Sequence, residues 1–386
     1  MSPIRTDILK IILIISSVVP FLCVACGRAN KTVRGETEEK NIQPVPRDLT
    51  SVAAEMADSI LAELTLEEKV GQCLMPAILS NSDETTLELF RKYIEDYHVG
   101  GIVLLKGDLK SAETLARLGN EAKIPLFVAI DAEWGLGMRL KDAPVYPKNG
   151  NIDKDSDESE LYDYGRRIAE ESRRVGINMV LGPVVDITSS TKGVIGRRSF
   201  GSDPQLVSEF GVAYAKGLES GGVVSVAKHF PGHGSARNDS HKGVARLETG
   251  ISLLDSLDLR PFREYINAGL SGVMAGHLQS LALDPDGNPA SVSMDILTSL
   301  LREELGFKGL ILTDAFDMGG AKGFEAADAL KAGADLVLCP SDLAKEYQNI
   351  IEEIKRGELN ISLINDRCRR VLFTKALFIY SFPESL

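Results

Sequence analysis

Four of the five histidines in this 386-residue chain, His229, His233, His241 and His277, fall between positions 229 and 277. Carboxylates and cations gather in the same region and in a few other polar patches. These are Asp131-Ala132-Glu133, Asp186, Ile195-Gly196-Arg197-Arg198-Ser199-Phe200-Gly201, Lys228-His229-Phe230-Pro231-Gly232-His233-Gly234, Asp239-Ser240-His241 and Thr313-Asp314. Imidazoles titrate near neutrality and carboxylates serve as bases or nucleophiles, so the mixture suits proton transfer and covalent catalysis in a polar cleft. Each residue also has a plainer use. Asp314 can cap the next helix or accept loop amides. Lys228 and Arg198 can be structural ion-pair partners, a use assigned here to one of them and not both. His229, His233 and His241 can be metal ligands, but Pro231 and its flanking glycines prevent a helix, so no two imidazoles share a face. No metal or cofactor is expected.

The elements that position these patches read as alternating strands and helices. Short apolar, β-branched runs occur at residues 72–79, 101–105, 126–130, 177–185, 223–227, 272–275, 309–312 and 335–338. Amphipathic stretches such as 158–175, 204–219, 253–268 and 323–332 separate them, with Gly176, Gly269 and Gly333 at helix ends. Continuous apolar strands between helices favour a parallel sheet covered on both faces. Eight such units favour a closed (β/α)8 barrel, a TIM-like fold whose active site lies at the C-terminal ends of the strands. There the polar patches stand. No G-x-G-x-x-G fingerprint follows a strand, which weakens a dinucleotide-binding alternative. Only two helical segments follow the eighth strand, so a single catalytic domain over residues 49–386 is expected.

The N-terminus reads differently. Arg5 and Lys10 precede an apolar run from Ile11 to Ala25, too short to span a bilayer comfortably, so residues 1–25 read as a signal peptide. Leu22-Cys23-Val24-Ala25-Cys26-Gly27 is similar to a bacterial lipobox. Cys26 would carry the lipid, and the expected location is an exported, membrane-anchored lipoprotein, periplasmic or at the cell surface. An uncleaved N-terminal anchor is the competing reading. Residues 26–48 are polar, with two prolines, and suit a flexible tether. The formal net charge is −12 with no basic cluster, which argues against a nucleic-acid partner. Cys73, Cys339 and Cys368 are oddly numbered and widely spaced, so they are expected to be buried thiols rather than a disulfide framework.

Taken together and in order, several pieces resemble the family-three glycoside hydrolases, specifically the single-domain bacterial β-N-acetylglucosaminidases. They are Leu64-Thr65-Leu66-Glu67-Glu68-Lys69-Val70-Gly71-Gln72, the segment from Ile195 to Pro204, Lys228-His229-Phe230-Pro231-Gly232-His233-Gly234, Asp239-Ser240-His241, Leu259-Arg260-Pro261-Phe262 and Thr313-Asp314. The resemblance covers about Leu64 to Phe378. It implies a retaining glycosidase with Asp314 as nucleophile and His241, paired with Asp239, as acid and base. It implies that Asp131, Arg139, Arg198, Lys228 and His229 hold the sugar, and that the partner is a carbohydrate with terminal β-linked N-acetylglucosamine. Two departures stand out. Where the family reads Asp-x-Glu-Gly-Gly-Arg, this chain has Asp131-Ala132-Glu133-Trp134-Gly135-Leu136, which is expected to put Trp134 at a subsite edge and leaves Arg139's role open. Before Asp239 stands Ser235-Ala236-Arg237-Asn238 in place of acidic residues. A β-glucosidase, a glycoside phosphorylase and a non-catalytic sugar-binding lipoprotein are the alternatives.

Overall fold

The computed structural model describes residues 48–236 and 243–381. Cys26, the leader and nearly all of the tether lie outside the described residues, as do Arg237, Asp239 and His241. Helix α1 (Leu49–Glu63) starts at an Asp48 cap, and α2 (Leu66–Gly71) at Thr65. The Thr65 hydroxyl accepts from the Glu68 amide while the Glu68 carboxylate accepts from the Thr65 amide, a capping box. Strands β1 (Leu74–Met75) and β2 (Ala77–Ser80) follow, split by Pro76 where one strand was expected. A proline has no amide proton for the ladder.

Next come α3 (Glu84–Glu95), β3 (Gly101–Gly107), α4 (Leu109–Asn120), β4 (Phe127–Ile130), α5 (Glu158–Arg174), β5 (Met179–Val180), α6 (Pro204–Ser220) and β6 (Val224–Phe230). The strand expected over 177–185 is reduced to the two residues of β5. Pro183 lies just beyond, and a lone bridge joins Val184 to Lys228. After β6 run β7 (Ala245–Arg246), α7 (Ile251–Ser256), α8 (Arg260–Asn267), β8 (Gly272–Ala275), β9 (Leu278–Gln279), β10 (Leu310–Thr313), α9 (Ala326–Ala332), β11 (Val337–Leu338), α10 (Leu343–Arg356) and α11 (Ile361–Lys375). The single helix expected over 253–268 is two, α7 and α8, with the break at Leu257–Leu259 and Pro261 in the first turn of α8.

Seven strands in the order β10-β8-β6-β5-β4-β3-β2 form one parallel sheet that curls around an apolar interior. β1 pairs in parallel with β11, and Leu312 of β10 bridges Leu336. Side chains alternate across a strand, and that period decides what faces inward. Phe127 and Ala129 of β4, Val224 and Val226 of β6, and Leu310 and Leu312 of β10 share one interior cluster, whereas Val128, Ile130, Ala227 and Ile311 pack outward with the helices. Continuing the inward series by one step on each strand reaches Asp131, Lys228 and Asp314. Cys73, Cys339 and Cys368 are buried and unbridged, as expected. Among the described residues no helix is long and apolar enough to cross a membrane.

At the opposite end of the strands, the carboxylate of Glu219, in the last turn of α6, accepts from Ser225 Oγ at 2.6 Å and from the Ser271 amide at 2.9 Å. Burial nevertheless pushes this carboxyl up to about 7 from an ordinary 4.5. The folded state therefore prefers the protonated acid. The stability this gives is complete below the unfolded value and is lost as pH rises from 4.5 to about 7. Glu219→Gln keeps an accepting oxygen without the charge. Chemical denaturation should find the variant equal to the native chain below pH 4.5 and more stable above pH 7 by on the order of 1–2 kcal/mol, after discount for the partial exposure of the group. Parallel stability curves across that window would contradict this account.

Candidate active site

The inward series opens at the C-terminal strand ends onto a cavity of about 410 Å³. At its base Lys228, only 2% exposed, places Nζ 2.7 Å from Asp131 Oδ1 and 2.8 Å from Glu133 Oε1. Arg139 donates to the other Asp131 oxygen. Arg198 grips Glu133 with two nitrogens, Nη2 to Oε1 at 2.7 Å and Nε to Oε2 at 3.0 Å. Such two-pronged, charge-assisted pairs fix orientation as well as charge. Burial pushes the Asp131 carboxyl up, but Lys228 and Arg139 overcome it and hold the group well below the usual carboxylate range. Burial likewise opposes ionisation of Glu133, and Lys228 and Arg198 bring it down to about 2. Lys228 responds in kind: burial alone would lower it, and the two carboxylates raise it. Both acids are therefore ionised, and Lys228 and Arg198 charged, at neutral pH.

A third carboxylate, Asp186, organises the turn that follows β6. Asp186 accepts from the His229 amide, from His229 Nδ1 at 2.6 Å and from the His233 amide at 2.6 Å. His229 Nε2 is thereby left facing Arg198 Nη2 at 3.4 Å. Burial and the neighbouring His229 lower the pKa of His233. Gly232 and Gly234 are pressed against neighbours. A Cβ at Gly232, whose φ is +127°, would lie 2.6 Å from Asp258 Cβ, and one at Gly234 would lie 1.8 Å from the Ile187 carbonyl oxygen. Glycine is required there by close approach.

Asp314 is different from its neighbours. Its amide donates to Ala275 O at 2.8 Å and its Oδ1 accepts from the Ala315 amide at 2.9 Å, but it makes no salt bridge among the described residues. Burial raises its pKa, yet His229, His277, the Ala315 amide and Lys228 outweigh that and leave the group below its ordinary value. It is an ionised carboxylate with an oxygen free of any cation among the described residues, on the wall of the cavity.

The cavity thus brings together Asp131, Arg139, Arg198, Lys228, His229 and Asp314. Arg139, whose role the Trp134 substitution left open, lines it with Nε unpartnered among the described residues. Three readings change. Lys228 and Arg198 both serve in ion pairs, where only one was assigned that use, because neither cation can be buried without counter-charge. Trp134 does not line the cavity; its ring carries the Lys148 ammonium 4.8 Å from its centre. Glu133, which received no role, is the fully buried partner of two of the cations. Its place two residues after Asp131 carried that signal. Among the described residues no group of three or more His, Cys, Asp or Glu is placed to hold a metal ion.

Residues 65–374 match the glycosyl hydrolase family 3 N-terminal domain. A β-hexosaminidase of Nitrosomonas eutropha is 34% identical over 285 residues, covering 70% of this chain and 81% of that protein. Among solved structures, a glycoside hydrolase family 3 β-N-acetylglucosaminidase from Paenibacillus superposes with a TM-score of 0.76 at 30% identity, over 82% of this chain and 63% of that one. The β-glucoside phosphorylase BglX superposes with a TM-score of 0.79 over 86% of this chain and 62% of that one; at 23% identity this is a likeness of fold. The chain spans a little under two thirds of the length of both solved proteins. On the match across most of its length, the chain belongs to glycosyl hydrolase family 3.

Proposed function

We propose that this glycoside hydrolase is a retaining β-N-acetylglucosaminidase that releases terminal β-linked N-acetylglucosamine from cell-wall fragments or related oligosaccharides. The scaffold is read as a closed (β/α)8 barrel forming a single catalytic domain. The β1–β11 ladder and the Leu312–Leu336 bridge, which link the two edges of the seven-stranded sheet, support that closure. The β-hexosaminidase names of relatives at about 34% identity support the substrate. One observation carries the mechanism: Asp131 and Glu133 are bound by cations, while the Asp314 carboxylate makes no ion pair among the described residues.

In this reading an Asp314 oxygen attacks the anomeric carbon as the glycosidic bond breaks, and protonated His241 gives its proton to the leaving oxygen. A glycosyl ester on Asp314 results. Neutral His241 then takes a proton from water, which attacks the anomeric carbon and frees Asp314. Asp239 orients the imidazole and favours its cation. Arg139, which lines the cavity, is read as one of the residues that hold the sugar.

Hydrolysis of an aryl β-N-acetylglucosaminide should far exceed that of the aryl β-glucoside, and phosphate should not accelerate it. Asp314→Ala should lower the rate by on the order of a thousandfold or more. Preference for the glucoside, or cleavage that depends on phosphate, would overturn the substrate reading.

His241→Ala should cripple hydrolysis of natural disaccharides far more than that of a dinitrophenyl glycoside, whose leaving group departs unaided. Azide should rescue the dinitrophenyl substrate, and Asp239→Ala should show the same pattern more mildly. Equal slowing of every substrate, with no effect of azide, would make His241 a structural residue.

Cys26 is read as the lipid-bearing residue of an exported lipoprotein, on the basic start, the apolar run and the lipobox-like residues before it. Cys26→Ala should move the full chain from the detergent phase to the aqueous phase in phase partitioning. Equal partitioning of the two forms into detergent would point to a retained apolar anchor.

A further inference from the structure

His277 lies two residues beyond Ala275, whose carbonyl oxygen accepts the Asp314 amide at 2.8 Å. The imidazole is fully buried and is not among the residues that line the cavity. Its Nε2 stands 3.0 Å from the Ala315 carbonyl oxygen, and its Nδ1 stands 2.7 Å from Ser291 Oγ. A carbonyl can only accept, so Nε2 carries a proton and donates it to Ala315. The ring is further fixed edge-on against Phe316, 5.6 Å between centres at 75°. On its other side Ala315 donates its amide to Asp314 Oδ1 at 2.9 Å.

The connections form one path: Ser291 to the imidazole, the imidazole to the Ala315 carbonyl, and the Ala315 amide to the carboxylate. We propose that His277 is the positioning residue for Asp314, holding Ala315 so that one carboxylate oxygen is occupied by the Ala315 amide and the other is aimed at the bound sugar. The proposal rests on the reading of Asp314 as nucleophile. A packing residue would not satisfy these contacts. An apolar side chain here would deprive Ser291 Oγ of its imidazole partner and leave Ala315 O with the Met318 amide alone, 3.1 Å away, a loss with a cost in a buried site. The imidazole supplies a rigid span with hydrogen-bonding atoms at both ends. Without it the Ala315–Phe316 peptide keeps only the Met318 amide on its carbonyl and its bond to Leu338 O, so Ala315 is held less firmly, its amide shifts from Oδ1, and the carboxylate loses its fixed aim.

The test compares His277→Ala, His277→Gln and Ser291→Ala in the full chain, with an aryl β-N-acetylglucosaminide as substrate and Asp314→Ala as control. Gln offers a donor and an acceptor at a similar spacing. His277→Ala should lower kcat by about tenfold to a hundredfold with little change in KM, the scale expected when a reacting group is displaced by about 1 Å. The acid limb of its pH–rate profile should move to higher pH, because Asp314 loses both the nearby imidazole and a fixed amide, each of which favours its charged form. His277→Gln should recover most of the rate and part of the limb shift, and Ser291→Ala should show a smaller change in the same direction as His277→Ala. Melting curves report folding. Should His277→Ala fail to fold, near-native His277→Gln together with a slowed, limb-shifted Ser291→Ala supports the proposal, and an unchanged Ser291→Ala overturns it. Full activity in His277→Ala, or equal slowing of the Ala and Gln variants with no movement of the limb, also overturns it. If those results come with an inactive Asp314→Ala, the nucleophile assignment stands and only the role of His277 falls. An active Asp314→Ala overturns both.

Discussion

The Lys228 ammonium sits almost wholly out of water, held between Asp131 at 2.7 Å and Glu133 at 2.8 Å. Burying one ion costs several kcal/mol, and attraction to a partner offsets this only where geometry is close and the remaining lone pairs are met. Here each acid has a second cation, Arg139 on Asp131 and Arg198 on Glu133. Removing any member would strand a buried charge. The network therefore ties the end of β6 to the chain following β4, and through Arg198 to the segment after β5. It also governs the site's chemistry. Asp131 and Glu133 are committed to cations, whereas Asp314 makes no ion pair among the described residues, which is why the proposed mechanism gives it the role of nucleophile.

The same arrangement separates holding from reacting. Asp186 spends its oxygens on the His229 and His233 amides and on His229 Nδ1. That contact shapes the turn from His229 to His233, immediately before the segment where Asp239 and His241 stand. Asp314, by contrast, is held mainly through its own backbone and its neighbour's. The proposed nucleophile must be placed accurately yet not neutralised, and backbone contacts achieve the first without the second.

Much of this could be read from the chain. The strand period carries Phe127 and Ala129 to Asp131, Val224 and Val226 to Lys228, and Leu310 and Leu312 to Asp314, so the inner wall and its polar rim follow from alternation. The Thr65–Glu68 capping box was equally plain. What sequence could not supply was pairing. Glu133 and Asp186 were visible as acids, but their partners lie 65 and 43 residues away in the chain, and only the curl of the sheet brings them together. Trp134 is the opposite case: a residue that broke a motif looked functional, yet its ring packs with Lys148. Prolines 76 and 183 shortened two strands for a local reason, the missing amide proton, that an apolar run conceals.

The central claim is this division of labour among carboxylates, and a trapping experiment tests it most directly. An N-acetylglucosaminide with a ring fluorine and a good leaving group forms the glycosyl ester faster than water can clear it. Proteolysis and mass spectrometry then locate the added sugar. The account predicts one glycosyl group per chain, on Asp314. A label on Asp131 or Glu133, or steady turnover with no ester at any carboxylate, would contradict it.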